Sequence, residues 1–562
     1  GSKLPPKAKT RIADTHIVEY AAAPSRVDVS NDPFPFPPVP LPATQTIVDV
    51  RSLGATGDGV TDDTNAFVKA LADAGAAGGA TVYVPAGRYR LTEPLVVPSG
   101  SELRGIFEGP PHAMIPGSCL LVEQGHDDED GTPFLTLAPR AGVRGLVVWY
   151  PQQDINAIVP YPWTIRAAGP QCWVRDMAVS NPWQAVDFAS AADTSGHFVS
   201  GLMGSPLRRG LFVDHSSRGG TVESCQFVIH YWSRNDSALP TAGLPTDRMG
   251  IPTMSRQLEA FRYGACQGEK VFNTFVYASR TGLALGDGFE GDVHFHGSDC
   301  AATGLRIEGH VEAELVNTNI AAWEGEDPVA YVVAKDFTGD VRFMNSSTWA
   351  ACEPFRVGGK GSVVLSQFNA WGAFGGSVTN PNTRITNLFS PTPQRVMWNV
   401  DTPASPAMCF SPCDVLGPND LFAGTLLSRK CKTSACGKHS DWESSGAAVD
   451  GSILSHWVCI KQEDHWIRLD LGDERHVTGI EILHEEAPLE GAYITRDFVV
   501  TGSTLIDSVR HTIDTVRDNK DGRTLHPTDG TFRYIWLDIT DANRVPQDHA
   551  VRIPEINVFG ER

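Results

Sequence analysis

Between about residues 170 and 375 the chain repeats one hydrophobic pattern. An aliphatic position opens a short alternating strand, small or polar turn residues follow, and a second short strand closes the unit. The opening positions are Val174, Val199, Val222, Val271, Val293, Leu315, Val341 and Val363, separated by 25, 23, 49, 22, 22, 26 and 22 residues. Steps in the low twenties suit one turn of a parallel β-solenoid, where each turn buries its apolar face by stacking on its neighbours. Such stacking predicts side-chain ladders. Four residues past the opening position stand Gln226, Asn319, Asn345 and Gln367; eight past it stand Trp323, Trp349 and Trp371, read as an internal or edge stack rather than a sugar platform. The single 49-residue step holds a polar, turn-rich insert that reads as a long loop leaving the coil and walling a cleft.

A solenoid needs its first turn covered. The segment "VRSLGATGDGVTDDTNAFVKAL", residues 50 to 71, meets that need: Ala66, Phe67, Ala70 and Leu71 form a helical apolar stripe, Asp62, Asp63 and Thr64 supply N-cap chemistry, and Gly54, Gly57 and Gly59 allow tight turns. Phosphate binding at these glycines is excluded by the lack of a G-x-G-x-x-G or G-x-x-x-x-G-K-[ST] spacing and by the charges of Asp58, Asp62 and Asp63.

The stretch "GATGDGVTDDTNAF" followed by "VYVPAGRYRL" and "LRG" resembles the start of pectate-lyase-like β-helix proteins, a superfamily that includes polygalacturonase-related glycoside hydrolases, polysaccharide lyases and phage tailspikes. The resemblance implies a right-handed parallel β-helix and glycan chemistry. Around 400 to 425 the repeat breaks in a Pro-containing joint. Beyond it, "AAVDGSILSHWV", "DHWIRLDLGDERHVTGIEIL", "FRYIWLDIT" and "VRIPEINVFG" resemble the coagulation-factor type C, or discoidin, family of β-sandwich jelly rolls. That similarity implies a carbohydrate-binding module, with a structural calcium ion at the loop of Asp450-Gly451, although "SILSHWV" departs from the family's pattern there. His439, Trp442, His456 and Trp457 are candidates for a sugar site in the module, with Trp457 and Trp466 read as core. The expected organisation is all-β: an extension over 1–45, a β-helix over 46–400, a linker over 401–423 and a sandwich over 424–562.

Composition narrows the function classes. The net charge of −20, from 46 basic and 66 acidic residues, repels nucleic acid and anionic membranes. No run of about 18 apolar residues marks a membrane-spanning helix. Eleven cysteines lack a C-x-x-C pair and a histidine at zinc spacing, so no metal site is expected, while Cys409 with Cys413 and Cys431 with Cys436 are close enough in sequence for local disulfides. The opening Gly1-Ser2, without Met or an apolar leader, reads as the start of a processed, exported chain.

The polygalacturonase-like strands beginning with a Gly-aliphatic pair direct attention to "QAVDFA", "GLFVDH", "GLALGD", "GLRIEG" and "PFRVGG". With aliphatics inward, Asp187 and Asp214 fall on neighbouring turns at a separation of about 8 Å, suited to the acid and base of an inverting glycosidase. Glu308 is the third catalytic candidate, and Arg166 and Arg306 would orient sugar groups. The polygalacturonase constellation N-T-D, D-D and G-H-G is absent. His230, Trp232, Tyr277, Arg280 and Asp299 are further substrate-binding candidates, and His230, Tyr277 and Arg280 also suit a lyase that abstracts a proton beside a uronate carboxylate. The leading expectation is a glycoside hydrolase without catalytic cofactor, the second a uronate lyase, and the third a noncatalytic glycan-binding adhesin.

Overall fold

The computed structural model describes residues 40–561, apart from 107–116, 235–238, 240, 244, 326, 350–351, 371–375, 390–393, 399–412, 417–424, 451–454, 462–463, 486–492 and 546–547. The expected extension, most of the linker, Trp371 and Cys409 therefore lie outside the described residues. The large sheet is built of parallel pairs, from Ile47–Asp49 on Thr81–Tyr83 to Gln394–Trp398 on Cys413–Leu416. Strands two or three apart in sequence pair with one another, the signature of a β-helix, in which the rest of each turn is the crossover between parallel strands. Its last described strand, Cys413–Leu416, falls inside the stretch read from sequence as the joint.

The coil keeps the expected register for five steps: Val174 pairs with Val199, and the row continues through Val222, Val271, Val293 and Leu315. At the sixth step Leu315 pairs with Phe343, while Val341 pairs with Ala313. This slip of two residues leaves the same face inward, because side chains alternate with period two, so hydrophobic pattern alone could not detect it. The amide ladder is corrected in the same way. One residue per turn bends the chain in the left-handed region, including Asp176, Ser224, Asn273, Asn317, Asn345 and Gln367. Asn345 Nδ2 donates to Asn317 Oδ1 at 2.6 Å, so the stacked amide on that turn is Asn317 rather than Asn319.

The N-terminal helix α1, Thr64–Ala76, buries Ala66, Phe67, Ala70 and Leu71, the stripe read from the sequence. The three aspartates before it hold the turn rather than an anion. Asp58 Oδ1 accepts from the backbone of Val60 and Thr61, Asp62 Oδ1 from Thr64, and Asp63 from the backbone of Thr56 and Gly57. Gly57 has φ +66°, and a Cβ there would meet the Tyr89 ring at 2.9 Å, so that turn requires glycine.

The insert within the 49-residue step is not a plain loop. It carries two helices, α2 (His230–Ser233) and α3 (Asp247–Gln257). Gly250 and Pro252 read as turn residues in sequence, yet within α3 Gly250 seats the helix on Ile229, whose Cγ1 lies 2.1 Å from where a Cβ would be.

The C-terminal module is antiparallel. Its main sheet runs through Glu555–Gly560, His465–Leu483, Arg523–Asp541, Asp497–Ser503 and His511–Val516, with Lys432–Ala435 also paired to His465–Leu483; Trp457–Cys459 and Val551–Ile553 form a second pair. Inward residues of these strands, among them Ile467, Leu469, Phe498, Leu537 and Val558, make a core separate from that of the coil. Trp457 joins this core as expected. Trp466 instead lies on the outer sheet face against Trp536, ring centroids 5.7 Å apart. No helix among the described residues is long and apolar enough to cross a membrane.

Candidate active groove

The outward row of the coil face that begins at Trp163–Ala167 runs through Arg166, Asp187, Phe212, Arg262, Ala284 and Arg306 on successive turns. The turns stack as expected, but the register partner of Asp187 is Phe212. Asp187 is 1% exposed, and its carboxylate is fully engaged: it accepts from Arg166 Nε at 2.6 Å, from Ser190 Oγ at 2.5 Å, and from the backbone of Ala189 and Ser190. Such a group fixes a turn; no substrate oxygen can reach it. Asp214 Oδ1 likewise accepts from the backbone of His215 and Ala265, tying two turns together. The acid-base pair read from sequence is thus a pair of backbone clamps, and Arg166 is committed to Asp187.

Glu308 and Arg306 meet a similar fate. Glu308 accepts from Arg262 Nη2 at 3.0 Å and from Arg306 Nε at 2.7 Å, and Arg262 also holds Glu259 at 2.8 Å. Burial raises the carboxyl's pKa, but the hydrogen bonds and charges of the two guanidiniums outweigh it and hold the value below the usual carboxylate range. A carboxylate held ionised in this way cannot donate a proton to a leaving group. Trp232 is fully buried in the core of the coil, which removes it from the substrate-binding set.

The remaining candidates converge at another corner of the coil. Val228, Tyr277 and Asp299 occupy one row on three consecutive turns, with His230 two residues beyond Val228. The His230 and Tyr277 rings stack at 6.0 Å and 29°. Arg234 Nη2 donates to His230 Nε2 at 2.9 Å, and Asp247 Oδ2 lies 3.3 Å from the same nitrogen, so α2 and the start of α3 orient the imidazole. The Cys300 thiol neighbours both the Tyr277 phenol and the Trp323 indole. Ser255 of α3 donates to the Cys300 carbonyl at 3.1 Å, so the insert is anchored to this turn. Arg280, exposed on the turn after Tyr277, completes the group.

Two physical signals single out this corner. Ala278 and Cys300, which follow Tyr277 and Asp299, have φ of +71° and +53°, where a residue without a turn-favouring polar side chain is strained. The ionisable groups are also perturbed. Burial, the neighbouring Cys300 thiol and the nearby Asp299 carboxylate push the Tyr277 phenol well above its ordinary value, and burial raises the Asp299 carboxyl despite the bond it accepts from the Cys300 N–H. Two tryptophans extend the corner: Trp323 and Trp349 are 42% and 44% exposed, edge to face at 6.0 Å, with the Trp349 indole donating to Asn319. Of the internal or edge stack expected from the sequence, these two tryptophans form the edge alternative, half-exposed on the coil surface. From His230 to Trp349 the row spans four turn spacings of about 4.8 Å, roughly 19 Å in all.

In the C-terminal module Trp442 is 92% exposed, while His439 is bonded to Glu443 and His456 faces Glu485. Asp450 has the hard oxygen donors a calcium ion prefers, and both its carboxylate oxygens accept from Ser455 Oγ; the loop 451–454 that would complete the site lies outside the described residues. Lys430 of the module donates to the Trp323 carbonyl at 3.1 Å, linking the module to the aromatic end of the groove.

With this geometry in place, similarity to known proteins defines the class. Residues 47–115 match the family described as rhamnogalacturonase A/epimerase, pectate lyase-like, and residues 447–536 match the NedA-like galactose-binding domain of the F5/F8 type C group. The chain joins a parallel β-helix, whose first turns match the pectate-lyase-like family, to a C-terminal β-sandwich that matches the galactose-binding F5/F8 type C group. A mannuronan C5-epimerase of Azotobacter vinelandii is 57% identical over 44 residues, 8% of this chain and 3% of that protein. Alginate lyase 7 of the same organism is 52% identical over 44 residues, 8% of this chain and 5% of that protein. These matches span only a small fraction of the relatives' length. Among solved structures, chitosan-binding module 1 of a Paenibacillus sp. IK-5 chitosanase/glucanase is 19% identical with a TM-score of 0.22, covering 24% of this chain and 99% of that one. A family 32 carbohydrate-binding module from Clostridium perfringens NanJ, in complex with galactose, is 15% identical with a TM-score of 0.21, covering 24% of this chain and 97% of that one. None of the groove residues lies within 47–115.

Proposed function

We propose that this protein acts on uronate-containing polysaccharides by abstracting the proton beside the sugar carboxylate, the first step shared by β-elimination and C5 epimerisation. The observation that carries this reading is the stack of His230 on Tyr277 with Asp299 on the next turn, set at the strained corner of the coil. His230 Nε2 takes the C5 proton as base, giving up the hydrogen bond it accepts from Arg234. The electron pair left behind forms the C4–C5 double bond as the C4–O bond breaks, and Tyr277, held protonated by its surroundings, delivers a proton to the departing oxygen. In epimerisation the same carbanion is reprotonated from the opposite face instead. Asp299, whose carboxyl burial raises, borders the uronate carboxylate, and Arg280 offers that carboxylate a positive charge. Trp323 and Trp349 stack on neighbouring sugar rings, and the discoidin-like module raises the local concentration of substrate. The similarity over 44 residues to mannuronan C5-epimerases and an alginate lyase supports the uronate class.

Hydrolysis is the second reading. It is favoured by the raised Asp299 carboxyl, a property a general acid needs, with Glu324 on the next turn as the other carboxylate. A panel of mannuronan, alginate, polygalacturonate and neutral glucans separates the two. An ultraviolet chromophore from an unsaturated uronate, or exchange of the C5 hydrogen for solvent deuterium, marks proton abstraction, whereas new reducing ends without either mark hydrolysis. Tyr277→Phe is expected to lower turnover at least a hundredfold with little change in thermal stability; full activity in that variant would refute the assignment.

A further inference from the structure

The sandwich module brings together three residues far apart in sequence. Cys436 follows the strand Lys432–Ala435, Cys459 ends Trp457–Cys459, and His465 begins His465–Leu483. One ligand atom from each lies within 4.8 Å of the others. The two sulfurs are 2.9 Å apart, Cys459 is fully buried, and His465 is 6% exposed. The pairing expected from sequence, Cys431 with Cys436, is replaced by this one. The backbone fixes the group: Cys436 N–H bonds to the Trp466 carbonyl at 3.0 Å, and Ala435 pairs with Ile467, so the chain leaving one strand meets the start of its neighbour.

His465 decides between the ways of occupying such a cluster. Its Nδ1 is buried and, among the described residues, has no hydrogen-bond partner. A disulfide between the two cysteines would leave the imidazole outside the bond, whereas a cation engages all three groups at once. Two thiolates and an imidazole are the donor set of a borderline or soft divalent ion of the zinc class, not of calcium. Two sulfurs on one tetrahedral zinc, each about 2.3 Å from it, stand about 3.8 Å apart. The observed pair reaches that spacing by opening about 0.9 Å, a small side-chain rotation.

We propose that Cys436, Cys459 and His465 form a binding site for a zinc-class divalent cation, which fastens three strand ends of the sandwich and leaves a fourth coordination position toward solvent. Binding releases the thiol protons and involves no electron transfer. The absence of a C-x-x-C pair hid the site from the sequence, because the ligands come from separate strands.

The test uses the full chain, purified under reducing conditions, stripped with a chelator and titrated with Co2+ and then Zn2+. The expected result is one equivalent of cobalt with a thiolate-to-metal charge-transfer band, displaced by zinc, and metal protection of both Cys436 and Cys459 from alkylation as mapped by peptide mass spectrometry. Cys459→Ala should abolish the band, and His465→Gln should weaken binding at least tenfold. If a variant fails to fold, alkylation protection in the wild-type chain decides. Absence of the band, or alkylation of both thiols unaffected by metal, overturns the proposal. A Cys436–Cys459 disulfide that yields no metal uptake after reduction also overturns it.

Discussion

At Asp187, four hydrogen bonds converge on one carboxylate, and this explains why its place in the sequence pattern misled. The pattern located it correctly on an outward row, but outward on a β-helix face does not mean free: Arg166 on the previous turn and the turn residues 189 and 190 consume its acceptor sites. Sequence spacing fixes which face a side chain joins, and hydrogen-bond partners then decide what it can do there. Asp187→Asn is accordingly expected to behave as a structural lesion. Its cost is on the order of 2 kcal/mol, reduced from a fully buried pair because Arg166 is about one-third exposed. Thermal unfolding should shift to lower temperature while kcat at a permissive temperature stays within a few-fold of wild type. A hundredfold loss of kcat with unchanged unfolding would return Asp187 to the chemistry. Tyr277 and Asp299 were legible as candidates because polar and aromatic residues recur at that corner. Their perturbed ionisation was not legible, since it depends on burial by the insert and on Cys300.

At the scale of elements, the insert between Val228 and Glu259 links fold and site. Its helix α3 is bonded to the Cys300 turn through Ser255 and contributes Asp247 to the environment of His230. The hydrophobic repeat made the coil readable, since five stacking steps follow the aliphatic row and α1 buries the expected stripe. The insert was not readable, because Gly250 and Pro252 signal turns to any local reading, and only contact with Ile229 explains a glycine within the helix. Gly250→Ala tests this coupling. A Cβ there overlaps Ile229 Cγ1 at 2.1 Å, so α3 must lift from the coil. Faster proteolysis within 230–257 and at least a tenfold loss of activity are expected, with the unfolding of the coil itself nearly unchanged. Unaltered proteolysis and activity would mean that the helix does not position the site.

Across the whole molecule, buried histidines set a pH window for stability in both folded parts. His296 of the coil lies between Thr274 and Ser298 with no carboxylate partner, and burial depresses its pKa to about 3; His484 of the sandwich is depressed to about 3 by burial and by neighbouring His526. Each is neutral when folded and takes up a proton near pH 6.5 when unfolded, so its contribution is complete above that value and falls as the pH drops toward 3. At pH 5 the loss is about 2 kcal/mol for each group. His197 has the opposite sign. Burial alone would lower its pKa, but the charge of Glu269 at 2.8 Å outweighs this and raises it, so its contribution is complete below about pH 6.5 and is lost as the pH rises through the raised value. The two effects confine greatest stability to the region around neutrality, and they belong to different residues that can be removed separately. Thermal unfolding between pH 5 and 8 should show His296→Gln flattening the acid side of the coil transition and His484→Gln flattening that of the sandwich. His197→Gln should flatten only the alkaline side, at a cost in overall stability from leaving Glu269 buried without its partner. An acid limb unchanged in both His296→Gln and His484→Gln would overturn the assignment of the acid sensitivity to these histidines.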